Sequence, residues 1–312
     1  MLKLLLRMSL SGLLLVYFCF KVDWQIVCSA FSGVNVGMYL ISTGIAVSGA
    51  WFMACKYRLL IRDTSLSLPV LRILSIHFIS RFYALFLPTA LGPEAVRWFK
   101  VTRGKQGKRF FLAATVYERI LFLLVLFGFG IVPLLFYTDN QQIAALRDRI
   151  LPIVGFLGIL LLAGLFYFMA PSFENAVNKT IKNFIKKKNA KQPDDRFWGD
   201  LAIKDRSIIF LGLMLILTIC WQIFFIGRIF FLFQSLGLGF GVMEATWMGS
   251  LVLLLQVLPI SFAGLGVREG AYAYLFTLFG LPAEKGFLVG VLFFTQMLVF
   301  VTIGAVLNLF EK

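Results

Sequence analysis

Two stretches of this chain set an arginine among residues that can hold an anion. "LPTALGPEAVR" runs from Leu87 to Arg97 and "LPISFAGLGVR" from Leu258 to Arg268, and in each the arginine stands nine residues past a Leu-Pro proline. A guanidinium presents a planar fork of donors that matches phosphate oxygens in pairs. Glu94 and Glu269 lie close by in sequence, and Gly92, Gly264 and Gly266 allow close approach of the backbone. Read as breaks in helices, the two stretches begin half-helices near Glu94 and near Val267, whose free N–H groups and positive dipole ends favour an anion. The expected chemistry is therefore phosphate binding, with Arg97 and Arg268 as the clamp. Glu94, Glu118 and Glu269 then hold the arginines while the site is empty, or bind an amine or a sugar hydroxyl. The competing reading makes all of these internal salt bridges that brace the turns.

Other ionisable residues fall deep in apolar runs. Glu118 and Arg119 lie about two turns into the run 110–137, Arg81 one turn before the first break, and Arg228 within 207–234. A charge at the bilayer centre costs ~3 kcal/mol on insertion scales. Neighbours on a helix point roughly 100° apart, so Glu118 and Arg119 are each expected to pair across to another element. Arg228 reads as snorkelling to the outer face, and His77, the single histidine, as a packing residue. Nothing assembles a catalytic or metal-ligating set: there is no second histidine and no Asp-rich motif, and Cys19, Cys28, Cys55 and Cys220 are scattered. "GLGVREG" spaces its glycines at 264, 266 and 270, not as a dinucleotide fingerprint, and no strand precedes it. The expectation is a protein that is not an enzyme and takes no cofactor or metal; with no P-loop motif, ATP is not an obvious drive.

The elements that position these residues follow from composition. The chain is 60% hydrophobic and only 14% charged, against about a quarter charged in soluble domains, so its main solvent is lipid. The apolar runs are long and lack period-two alternation, which fits helices and excludes a β-barrel. Spans are expected at 4–20, 34–54, 110–137, 150–170, 207–234 and 286–309, and the stretches 70–103 and 243–281 are broken in the middle. The first of these, after Lys3 and Arg7, resembles a signal peptide but is read as a retained span. The net charge of +15 sits in loops, which fits a cytoplasmic face on anionic lipid and not nucleic acid.

The positive-inside rule then sets the topology. Lys3 and Arg7 put the N-terminus in the cytoplasm, and Lys56, Arg58 and Arg62 put the next loop there. Residues 97–109 carry six basic residues and no acid, so they belong inside too, and 70–103 must enter and return as a re-entrant hairpin turning at Pro88–Pro93. The loop 138–149 balances two acids against two bases. Loop 171–206, with nine Lys/Arg against five acids, is cytoplasmic, and 243–281 is a second hairpin approached from outside. The C-terminus ends inside. The fold class is an all-α polytopic membrane protein, with about six full transmembrane helices plus two re-entrant helical hairpins in an inverted repeat. It forms one domain, 1–312, with halves at approximately 1–140 and 150–312. The hairpin prolines stand 171 residues apart, and two pairs of spans recur at 173 and 176. Inverted repeats with broken helices point to a transporter's binding site.

"LPTALGPEAVR" (87–97), "YER" (117–119) and "GLGVREGAYAYLF" (264–276) resemble the flippase-like transmembrane region of the lysylphosphatidylglycerol synthase family, over roughly 1–310. Gly92, Glu94 and Arg97 match the first motif of that family, with Pro93 a local variation. No soluble synthase domain is visible in the 312 residues, so the resemblance implies a stand-alone member that translocates lipid without modifying it. The implied substrates are aminoacyl-phosphatidylglycerol or polyprenyl-phosphate glycolipids. An alternative is a non-transporting membrane partner that docks a lipid synthase or glycosyltransferase through loop 171–206. An intramembrane enzyme acting on a lipid phosphate or transferring a sugar is a third class, disfavoured by the missing catalytic residues. The expected location is the cytoplasmic (inner) membrane.

Overall fold

A computed structural model describes Gln25, Ser29 and residues 31–62, 65–84, 92–103, 108–136, 140–169, 208–257 and 264–311. Among these residues there are nine helices and no strand. They are α1 (Val36–Ile61), α2 (Val70–Ala84), α3 (Gly92–Thr102), α4 (Lys108–Leu135), α5 (Gln141–Met169), α6 (Ile208–Ser235), α7 (Val242–Val257), α8 (Val267–Thr277) and α9 (Ala283–Leu309). Val36–Ile61, Ala114–Leu135, Ile209–Ser235 and Ala283–Leu309 are each long and apolar enough to cross a membrane. The protein is an all-helical, multi-pass membrane protein. The exposed side chains say the same: Ile209, Ile216 and Ile223 stand seven residues apart on one face of α6 and all point outward. In water such a stripe would drive association; in lipid it is the ordinary outer face.

Local sequence sets the helix ends. The Asn35 side chain accepts from the Met38 N–H at 3.0 Å and opens α1. Asn140 does the same for α5, accepting from Gln142 at 2.9 Å, while its amide donates to the Leu278 carbonyl at 2.9 Å. Pro69 precedes α2 and Pro282 caps α9, both where a missing N–H is harmless. Two expectations change here. The second span runs on to Ile61, so Lys56 lies inside a helix and not in a loop. The expected loop 138–149 is helical from Gln141, with Arg147 and Asp148 paired at 2.8 Å on its surface. In both cases the helix extends because its charged residues find partners. The expected span 4–20, both hairpin tips at Pro88 and Pro259, and the loop 171–206 lie outside the described residues.

Packing brings sequence-distant helices together. α1 and α6 run antiparallel: the Asn35 N–H donates to the Ser235 carbonyl at 2.7 Å, Ser42 Oγ to the Arg228 carbonyl at 2.7 Å, and Phe52 meets Phe224 with ring centroids 4.8 Å apart. α2 lies on α9 and α7 on α4, while α3 folds against α2 and α8 against α7. Lipid gives helices no hydrophobic reason to associate, so close backbone contact carries these interfaces. At Gly304 of α9 a Cβ would sit 2.1 Å from the Phe78 carbonyl oxygen of α2, and at Gly286 it would sit 2.4 Å from that of Tyr272 in α8. Two apolar clusters result. One gathers Tyr57, Leu60, Ile73 and Phe111 from α1, α2 and α4; the other gathers Phe233, Trp247, Tyr272 and Phe276 from α6, α7 and α8. The polar site lies between them.

Candidate functional site

A cavity of about 260 Å³ opens where α1–α4 meet α6–α9. Its apolar wall includes the rings of Phe122, Trp221, Phe224, Phe225, Phe293 and Phe300. Set into that wall are five arginines, Arg81, Arg97, Arg119, Arg228 and Arg268, and two glutamates, Glu94 and Glu118. The two breaks found in the sequence therefore deliver their arginines to the same space.

Arg97 is buried, 3% exposed, and sits in the second turn of α3, because that helix begins at Gly92. The expectation of a first-turn arginine holds only for Arg268, the second residue of α8. One Arg97 guanidinium nitrogen, Nη2, lies 3.1 Å from His77 Nδ1, and its carbon lies 4.4 Å from the centroid of the Tyr57 ring. A guanidinium can only donate, so Nδ1 accepts and His77 carries its proton on Nε2 in the neutral form. Arg97 Nε has no hydrogen-bond partner. His77 thus lines the cavity and holds its key arginine, a larger part than packing.

Glu118 is not the partner of a cavity arginine. It pairs with buried Lys56 of α1 at 2.5 Å and also accepts from the Tyr57 hydroxyl at 3.5 Å. The tyrosine that bonds Glu118 is the one under Arg97, so the pair sets the floor of the site. Arg119 faces Glu94 across 3.8 Å and lies over the Phe122 ring at 5.4 Å. The second oxygen of Glu94, Oε2, is buried without a partner. Glu118 and Arg119 do pair with different elements, as their angular separation requires.

Arg268 is 1% exposed and is gripped by its neighbour Glu269, whose Oε1 accepts from Nε at 3.1 Å and also from Nη2. The other Glu269 oxygen accepts from the Gly266 N–H at 2.8 Å. One backbone N–H at the start of α8 is thus already satisfied by a carboxylate from the helix's own first turn. Gly264 (φ 77°) and Gly266 (φ 82°) take left-handed backbone that only glycine adopts freely. A Cβ at Gly264 would also lie 2.9 Å from Gln256 Oε1.

Arg228 does not snorkel. Its Nε donates to Gln296 Oε1 at 2.6 Å, Nη2 to the Phe293 carbonyl at 3.3 Å, and the guanidinium lies 3.6 Å from the Phe293 ring centroid. Gln296 in turn donates to Ser42 Oγ at 2.8 Å, closing a polar link between α6, α9 and α1. The aromatic face and the buried amide satisfy the charge inside, so it need not reach outward.

Seven of the ten residues singled out in the sequence line the cavity: Arg81, Glu94, Arg97, Glu118, Arg119, Gly264 and Arg268. Glu269 stands behind Arg268, Gly92 is the first residue of α3, and Gly266 precedes α8. Sequence reading missed Lys56, Tyr57 and Gln296. A lysine or glutamine inside an apolar run is itself a signal for a buried partner.

A family model described as the lysylphosphatidylglycerol synthase TM region matches residues 4–305. Comparison with curated proteins gives no match, and comparison with solved structures gives none.

Proposed function

Because the chain belongs to the family of the lysylphosphatidylglycerol synthase transmembrane region, we propose that it is a lipid translocase that carries phosphate-bearing headgroups across the bilayer. The observation that carries this reading is the single cavity into which Arg97 and Arg268 converge among five arginines and an apolar wall. A headgroup crossing hydrocarbon unaided meets the full desolvation barrier of its charge. Preformed donors in a cavity at membrane depth replace the lost water while the acyl tails stay in lipid.

The alternation this requires is supported by the order of elements. Helix lengths run 26, 15, 11 and 28 residues over α1–α4, and 28, 16, 11 and 27 over α6–α9. Exchanging the two sets turns the α2–α9 interface into α7–α4 and leaves α1–α6 as itself. The self-paired helices are antiparallel, which is the relation produced by a two-fold axis in the membrane plane. On this reading the protein is an inverted repeat with halves at approximately 1–140 and 150–312, and α2–α3 and α7–α8 are re-entrant hairpins entering from opposite faces. Rocking one half against the other opens the cavity to each side in turn. The termini are cytoplasmic, at the inner membrane.

The experiment is reconstitution into liposomes with tail-labelled phosphatidylglycerol. A charge-assisted hydrogen bond contributes about 1.5–3 kcal/mol, so the Arg97→Ala/Arg268→Ala double variant is expected to lose roughly a hundredfold in rate. Equal translocation by both proteins would sink the proposal.

A further inference from the structure

We infer that the cavity is built for a dianionic phosphate group, a lipid-linked phosphomonoester or diphosphate, in preference to a monoanionic phosphodiester or a cationic headgroup. This deepens the translocation reading and rests on it for the source of the ligand.

The ground is the balance of charge after internal pairing. Glu118 is taken by Lys56, Glu269 by Arg268, and Glu94 faces Arg119. Among the described residues, three lining arginines make no ion pair with a carboxylate. Arg97 meets neutral His77 and Tyr57, with Glu94 and Glu118 in electrostatic reach but not paired to it, and Arg228 meets Gln296, a carbonyl and the Phe293 ring. Arg81 makes no hydrogen bond or ion pair among the described residues; it lies within electrostatic reach of Glu94 and, against it, of Arg97, Arg119 and Arg228. Three guanidiniums in an apolar-walled space repel one another more than they would in water. A phosphodiester leaves two of them uncompensated. A phosphomonoester dianion leaves one, and a terminal diphosphate can match all three.

A headgroup ammonium finds the opposite. The carboxylates that could receive it are engaged, and what remains is one oxygen, Glu94 Oε2, amid excess positive charge. That oxygen suits a hydroxyl on or beside the phosphate. Arg97 Nε, buried and unpartnered, is a donor waiting for an acceptor. An aminoacylated headgroup with a net positive charge is the least favoured occupant.

Two measurements on the full chain test this. In the first, the purified protein in detergent is titrated with pyrophosphate, inorganic phosphate, dimethyl phosphate and lysinamide at pH 8.5, with thermal unfolding as the readout. Ligand binding raises the midpoint by mass action. Pyrophosphate and phosphate should stabilise at concentrations at least tenfold lower than dimethyl phosphate, and lysinamide should have no effect. In Arg81→Gln and Arg228→Gln this preference should shrink several-fold. Equal response to all anions, or no response to any, overturns the inference. In the second, proteoliposomes carry tail-labelled phosphatidic acid, phosphatidylglycerol, phosphatidylcholine or lysyl-phosphatidylglycerol. Phosphatidic acid should move at least tenfold faster than the other three, and phosphatidylglycerol moving as fast as phosphatidic acid overturns the preference for a dianion. Equal rates for all four overturn the charge preference and leave the translocation reading standing. No movement of any lipid, with tight pyrophosphate binding, overturns translocation, makes the ligand a soluble phosphate and upholds the dianion site.

Discussion

Lys56 and Glu118 show how the protein handles a buried charge. Both are sequestered, and their pairing places Tyr57 beneath Arg97. Removing one member of a buried pair strands the other, at about 3–5 kcal/mol, whereas replacing both with apolar side chains is often near neutral. Lys56→Met alone should therefore lower the unfolding midpoint in detergent by at least about 5 °C. Lys56→Met/Glu118→Met should recover half or more of that loss; equal melting of the single and double variants would refute the pairing. The sequence could nominate Arg97, Arg268 and Glu94 because they sit in breaks, where a proline or glycine marks an unusual backbone. It could not say that Glu118 turns to Lys56, because a partner one helix away leaves no trace in local spacing. Arg228 was misread for the same reason. Whether an intramembrane arginine snorkels or stays depends on Gln296, 68 residues later.

At the scale of elements, glycines decide how closely helices approach. Gly304 meets the Phe78 backbone, and Gly130 occupies the matching place on α4 against Ser250, where a Cβ would sit 3.3 Å from the serine Cβ. The two positions are not equally tight. Gly304→Ala must push a carbonyl aside and should cost about 1–3 kcal/mol as overpacking, while Gly130→Ala should leave the midpoint within about 1 °C. Comparable melting of the two would show that the α2–α9 contact is looser than the backbone geometry requires. Element identity was legible at long range, because an apolar run bounded by charges or prolines reads as a helix with few alternatives. Boundaries were less so. α1 and α5 each run about two turns past the apolar segment, since Lys56 gains an ion pair and Asn140 supplies a cap. Those are tertiary and capping effects that hydropathy does not weigh.

At the scale of the molecule, antiparallel α1 and α6 carry the strongest constraint on topology. Their C-terminal ends leave on opposite sides, so cysteines at Ser67 and Gly239 should label from opposite faces of intact vesicles. Labelling of both from one face would remove the basis for an inverted repeat. The recurring order of long, short, short and long helices was readable from proline and charge spacing. The convergence of the two breaks on one cavity was not, because it depends on which helices touch. The ion pairs and hydrogen bonds of the buried arginines also carry a consequence for synthesis. Lys56–Glu118, Arg97–His77 and Glu94–Arg119 lie within α1–α4, while Arg268–Glu269 and Arg228–Gln296 lie within α6–α9. At about 5–20 residues per second, a ribosome needs roughly ten to thirty seconds to pass from Arg97 to Arg268. In that interval the first set of helices can already pair Glu94 and Glu118 internally, while Arg72 and Lys100 wait for Glu311 beyond α9, so the insertion machinery need not hold those two carboxylates until the second set exists.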